Sequence, residues 1–310
     1  MLENIETVTA KTLLRASDVE YFDYVVNHIR GCPHMCQYPC YAYRNALRYG
    51  RIKTLEEWKI PKPVSNAFEI LKKEIPRYKN KIKSVQLCSA TDPFPFGYKS
   101  IEEFTMEVIK LLNSENIKVN VLTKGILPIE LANMSPENEY GISLVSLDER
   151  YRQVMEPGAS SYIDRIAALK RLKKLGARCW VSIEPFPVGQ TDQELYDLLR
   201  TIEWVDFIVF GRINHNKNFS RSNYREYYAD KALKVLRFCA ERNIACHIKN
   251  GTLDDVYYYS APVSCDMLST IPRPNINMER VMRHLNPPMR DMVKVISEPE
   301  KREMVKFVNK

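Results

Sequence analysis

Gly31-Cys32-Pro33-His34-Met35-Cys36-Gln37-Tyr38-Pro39-Cys40-Tyr41-Ala42-Tyr43 holds three of the chain's eight cysteines and directly follows the aromatic and β-branched run Tyr21–His28. That run reads as a strand. The thiols then fall in the loop at a strand's carboxyl end, where α/β folds gather their reactive groups. Soft thiolates this close together select zinc, copper(I) or an iron–sulfur cluster. A structural zinc site closes four positions, usually with two CxxC-like pairs. Here Cys88, Cys179, Cys239, Cys246 and Cys265 stand singly. Three thiolates suit a cluster that leaves one iron open to a small molecule. Zinc completed by His34 or a distant cysteine is the alternative.

Outward from that loop, short apolar strands alternate with amphipathic helices. Tyr41–Arg51 reads as a helix closed at Gly50, Pro61-Lys62-Pro63 as a break, and a helix from about Ser65 carries Phe68, Leu71 and Ile75 on one face. Strands are expected at Lys83–Cys88, Lys118–Thr123, Tyr140–Val145, Arg178–Ile183, Asp206–Phe210 and Ile244–Ile248. Between them lie a helix opened by a capping box at Ser100-Ile101-Glu102-Glu103, a short helical stretch from Pro128, and a helix from Ser161 to Gly176. Two more follow, one capped at Thr191-Asp192-Gln193-Glu194 and one over Ala229–Glu241, where Cys239 joins the apolar face of Leu233 and Leu236 as core packing.

The alternation predicts an α/β fold: a partial (β/α)6-type barrel of parallel strands, a helical outer layer and a C-terminal extension. A doubly wound open sheet shares the same alternation. The expected division is an N-terminal arm at 1–20, a barrel core at 21–250 and a mostly helical extension at 251–310.

Of the 310 residues 45% are apolar and 27% charged, enough for a well-filled core and too apolar for wholesale disorder. The net charge of +8 permits a nucleic-acid partner, but Lys and Arg are interleaved with Glu, as in Lys72-Lys73-Glu74, like a solvated mixed surface. No run of 18 apolar residues occurs and the polar start lacks a signal-peptide core. Cysteines without paired extracellular spacing fit a reducing compartment. These features predict a cytoplasmic protein with no membrane partner.

The cysteine loop resembles that of the radical S-adenosylmethionine (SAM) enzymes. The approach Asp23–Gly31 resembles their spore photoproduct lyase-related branch. The spacing departs from the usual CxxxCxxC: Cys32, Cys36 and Cys40 read CxxxCxxxC, as if Pro39 were inserted. Further along, Ser89-Ala90-Thr91-Asp92-Pro93-Phe94 resembles the branch's Ser-x-x-Thr-Asp-Pro-aromatic signature with one residue fewer. Thr123-Lys124-Gly125 matches a Thr-Lys-small pattern. Ser143-Leu144 through Asp148-Glu149 to Glu156-Pro157-Gly158-Ala159 resembles a long family run.

The resemblance implies a 4Fe–4S cluster on Cys32, Cys36 and Cys40, with SAM chelating the open iron. Reductive cleavage would give a 5′-deoxyadenosyl radical that abstracts hydrogen from a substrate. It implies SAM contacts from Ser89, Thr91, Asp92, Lys124, Ser143 and Ser146. Lys124 would face the methionyl carboxylate, while Glu184 and Arg212 would face ribose and adenine. Cys88 is the candidate hydrogen donor. A ferredoxin- or flavodoxin-type reductant is the implied partner, and the substrate is unassigned, with nucleic acid a candidate. The rival from another class is a non-catalytic, zinc-stabilised nucleic-acid-binding protein.

Overall fold

The computed structural model describes residues 5–17, 19–37, 40–214 and 224–252. Cys265 and the expected extension beyond Thr252 lie outside them. The chain divides into two compact units, the first comprising Met1–Ser143 and Asp148–Cys179, the second Leu144–Leu147 and the residues from Trp180 onward.

In the first unit the elements run β1 (Leu14–Ala16), β2 (Tyr24–Val26), β3 (Ile29–Arg30), α1 (Tyr41–Arg48), α2 (Leu55–Trp58), β4 (Lys62–Pro63) and α3 (Ala67–Tyr78). They continue with β5 (Ser84–Leu87), α4 (Lys99–Ser114), β6 (Lys118–Thr123), a 3-10 turn over Ile129–Asn133, β7 (Glu139–Ser143), α5 (Glu149–Met155) and α6 (Tyr162–Lys174). β2, β5, β6 and β7 pair in that order, all parallel. Most of their apolar residues are buried, and Val26, Val85, Leu87, Val119, Val121 and Ile142 fully so. Such runs are what a sheet covered on both faces requires.

β1 adds an antiparallel edge beside β2. Its start is tied down where the Leu13 and Leu14 amides donate to the buried carboxylate of Glu74 on α3, at 3.0 and 2.8 Å. The second unit carries β8 (Arg178–Ile183, whose first two residues belong to the first unit), α7 (Asp192–Thr201), β9 (Phe207–Phe210), α8 (Arg225–Glu241) and β10 (Ala245–Ile248). There β8, β9 and β10 pair in parallel.

Several local expectations need correction. The run Tyr21–His28 is not one strand: pairing with β5 stops at Val26, and Ile29–Arg30 turns to pair antiparallel with Lys62–Pro63. Ser100 is no cap. Helix α4 begins at Lys99, and the Tyr98 carbonyl accepts from the amides of Ile101 and Glu102. The capping box at Thr191 is present, with Glu194 closing it reciprocally, and Ser161 caps α6 through the Asp164 amide. Cys246 is buried, like Cys239, in the core of the second unit, and burial raises its thiol well above the ordinary value. No helix among the described residues is long and apolar enough to cross a membrane.

Candidate functional site

Because β2, β5, β6 and β7 run parallel in register, their carboxyl ends share one edge, and the polar segments that follow meet there. After β2 and β3 the chain turns at Gly31, whose φ of 76° lies in the left-handed region. A Cβ at Gly31 would run into the carbonyls of Ile60 and Trp58. The Cys32 amide donates to the Trp58 carbonyl at 2.8 Å. Cys32 and Cys40 pack against Ala42, Ala46 and Trp58, so α1 and α2 form an apolar seat beneath the loop. From the other side, the Gln37 amide donates to the Met155 carbonyl at 2.8 Å and the Gly158 amide to the His34 carbonyl at 3.1 Å. Gly158 is needed for that approach, since a Cβ there would collide with the Pro33 carbonyl.

Cys32, Cys36 and Cys40 are half-buried. Burial pushes the Cys36 thiol up to about 12, against the pull of the Lys124 ammonium. Cys32 is raised by burial and by the charges of Asp92, Cys36 and Cys40. Charge on Cys36 or Cys40 disfavours charge on Cys32, so three thiolates gathered in this loop would be costly unless they shared a cationic centre. The donor set, all sulfur and three in number, fits an iron–sulfur cluster with one open iron. Among the described residues no three His, Cys, Asp or Glu side chains, the loop cysteines included, stand positioned to hold one ion.

Asp92, after β5, is buried and ties the neighbouring strand ends together. It accepts from the Thr123 hydroxyl at 2.6 Å, the Phe94 amide at 2.9 Å and the Lys124 amide at 2.8 Å. His34 Nδ1 lies 3.4 Å from Asp92 Oδ2, the oxygen that takes the Lys124 amide. Nε2 of this almost fully buried ring has no hydrogen-bond partner among the described residues. Lys124 reaches the buried carboxylate of Glu156, whose second oxygen takes Arg165 Nη2 at 2.9 Å. Arg165, fully buried, also donates to the Ser143 carbonyl at 2.8 Å. Ser89 and Thr91 are half-buried, their hydroxyls on Asn27 Oδ1 at 3.4 Å and the Ile29 carbonyl at 3.0 Å.

Cys88 sits at the end of β5 with φ 50°, a left-handed conformation rare outside glycine and asparagine. Its buried sulfur lies 3.5 Å from His28 Nδ1. The Thr105 hydroxyl donates to the Pro93 carbonyl at 2.7 Å, so it accepts from His28 Nε2 at 2.9 Å. That fixes the proton on Nε2 and turns the Nδ1 lone pair to the thiol. Burial pushes the thiol up to about 12 and holds the imidazole down at about 4. Both groups are neutral near pH 7.

The first unit therefore brings together the three loop cysteines, Ser89, Thr91, Asp92, Lys124 and Ser143. Ser146, Glu184 and Arg212 belong to the second. There Ser146 is buried, Glu184 pairs with Lys249 at 3.0 Å, and the Arg212 amide donates to the Thr252 hydroxyl at 3.2 Å. Sequence reasoning did not single out His28, Arg165 or Glu156 as site groups. The signal for Glu156 was its place in Glu-Pro-Gly-Ala. Nothing local marks Arg165, which meets its partners only when α6 packs.

The model of the radical SAM superfamily matches residues 26–202. An uncharacterized protein of Methanocaldococcus jannaschii is 24% identical over 229 residues, covering 71% of this chain and 84% of its own. Spore photoproduct lyase complexed with dinucleoside spore photoproduct shares the fold at a TM-score of 0.57 and 14% identity, over 78% of this chain and 80% of that one. A variant of that lyase with bound S-adenosylmethionine and the dinucleoside photoproduct matches at a TM-score of 0.58 and 15% identity, over the same shares.

Proposed function

This chain belongs to the radical SAM superfamily, and from that premise we propose that Cys32, Cys36 and Cys40 hold its 4Fe–4S cluster and that the adjoining strand ends bind S-adenosylmethionine. When bound, the cluster supplies the electron that splits S-adenosylmethionine into methionine and a 5′-deoxyadenosyl radical able to take hydrogen from a substrate. The rest is the work of this chain's residues. Lys124, between the loop and the Glu156 carboxylate, presents an ammonium to the methionyl carboxylate. Asp92 holds Thr123, Lys124 and Phe94 in place beneath it. Ser89, Thr91, Ser143 and Ser146 are proposed to offer hydroxyls to the polar end of the cofactor, and the Glu184 carboxylate and Arg212 guanidinium to face ribose and adenine.

Cys88 is the proposed hydrogen donor, its S–H oriented by His28. The substrate is proposed to be nucleic acid, a class suggested by the dinucleoside photoproduct with which the lyase that shares this fold is complexed. An external one-electron donor and a barrel core at 21–250 complete the reading. The observation that carries it is the three-thiol loop, held within a span that matches the family model, at the shared carboxyl edge of parallel strands.

The test is iron and sulfide content, with an electron-paramagnetic-resonance spectrum of anaerobically reduced protein with and without S-adenosylmethionine. About four irons per chain and a spectrum perturbed by the cofactor are expected. Stoichiometric zinc with no cluster after anaerobic reconstitution would replace the enzyme by a metal-stapled binding protein.

A further inference from the structure

A row of positive charges that no described carboxylate neutralises lies beside the cysteine loop. Arg30 immediately precedes Gly31 and stands opposite Lys62 across the β3–β4 pair. Like charges facing each other across an antiparallel pair oppose pairing, so their presence calls for a counter-charge. Lys62 has one in Glu6. Arg30 does not: it is half-buried, and the full charges that reach it are those of Arg51 and Arg15, both positive. Arg15 leans on the Thr12 hydroxyl at 3.0 Å, which leaves its charge uncompensated. Among the described residues no ion pair includes Arg15, Arg30, Arg48 or Arg51.

The row continues over Tyr49. Its ring is 63% exposed, and the guanidiniums of Arg51 and Arg48 stand 5.5 and 5.9 Å from its centroid. A half-buried guanidinium without an anion has lost hydration and gained nothing for it. Planar guanidiniums match phosphate bidentately, and several in a row match successive phosphates rather than one isolated carboxylate. The exposed ring beside them is a platform for a base, and a base reaches such a ring face-on only when it is free of a duplex.

We propose that Arg15, Arg30, Arg51 and Arg48, together with Tyr49, form a binding track for the phosphodiester backbone and one stacked base of a single-stranded nucleic acid, leading to the loop that carries Cys32. This deepens the reading above by naming how its substrate class is held. It rests on that reading for the reaction but not for the binding.

The experiment is fluorescence anisotropy of the full chain with a labelled mixed-sequence oligonucleotide of about 12 nucleotides, over a salt series. The R48Q/R51Q variant is expected to bind roughly tenfold or more weakly. Its slope of log affinity against log salt should be shallower by about 1.4, or 0.7 for each lost phosphate contact. Y49A is expected to weaken binding while keeping the slope. Both substitutions are on the surface, and matched circular-dichroism spectra establish folding.

Four outcomes overturn the proposal. The first is a parent that does not bind, and the second is R48Q/R51Q keeping both affinity and slope. The third is displacement of the oligonucleotide by inorganic phosphate at equal phosphate concentration, which marks a free-phosphate site. The fourth is a duplex of the same sequence binding as tightly. Iron content and the cofactor-perturbed spectrum are read without oligonucleotide, so failure of the track is distinguishable from failure of the radical-enzyme reading.

Discussion

Glu156 takes Lys124 on one oxygen and Arg165 on the other, with Glu156 and Arg165 wholly removed from water. Its negative charge is what permits a guanidinium to be buried beside the loop. Glu156→Gln should therefore destabilise the protein by about 3 kcal/mol, the scale for removing one partner of a buried pair, as read by urea unfolding. A change within error would show that Arg165 is held by the carbonyls of Ser143 and Ser160 alone. Gly158 acts through space rather than charge. Gly158→Ala must push the Pro33 carbonyl aside and with it the backbone between Cys32 and Cys36. Iron bound per chain after anaerobic reconstitution is expected to fall well below the parent's while the far-ultraviolet spectrum is unchanged. Full iron occupancy would show that the loop relaxes at little cost.

At the scale of elements, helix ends are decided by which side chain reaches the first free amides. Thr191 does so for α7: its hydroxyl accepts from the Glu194 amide at 3.2 Å and the Glu194 carboxylate accepts from the Thr191 amide at 2.7 Å. Thr191→Ala should cost about 1 kcal/mol in urea unfolding, and Ser100→Ala markedly less, because Ser100 lies inside α4. Equal losses would contradict the two assignments. Sequence pattern placed these helices through the spacing of apolar residues, which the 3.6-residue period imposes directly. It misplaced the start of α4 because Ser-x-x-Glu is also an ordinary run within a first turn. α5 escaped prediction for a related reason. None of its side chains is buried, so Glu149–Met155 shows no apolar stripe to read.

For the whole molecule, the buried histidines set the acid limit of stability. Burial keeps His28 neutral down to about 4, whereas the unfolded chain takes up the same proton near 6.5. Between those values the unfolded state binds the proton that the folded state refuses. The free energy of unfolding therefore declines as pH falls from about 6.5 to about 4, by at most about 1.4 kcal/mol per unit from this residue, and is whole again above that window. Burial shifts His34 the same way. Urea unfolding across this range should show a steeper decline for the parent than for His28→Gln. Parallel curves would mean that His28 reaches water in the folded protein.

The residues alone determined the alternation of strands and helices, the cysteine loop after the first parallel strand, and the family that the runs Ser89–Phe94 and Ser143–Ala159 resemble. All of these are written in local spacing, which covalent geometry and helical or strand period make readable. Packing decided the rest. His28 at the Cys88 thiol and Thr123 at the Asp92 carboxylate are contacts between segments far apart in the chain, and Arg165 meets Glu156 only when α6 packs. The first two exist only once parallel strands have brought their ends to one edge, and burial then keeps the Cys88 thiol and the His28 imidazole neutral.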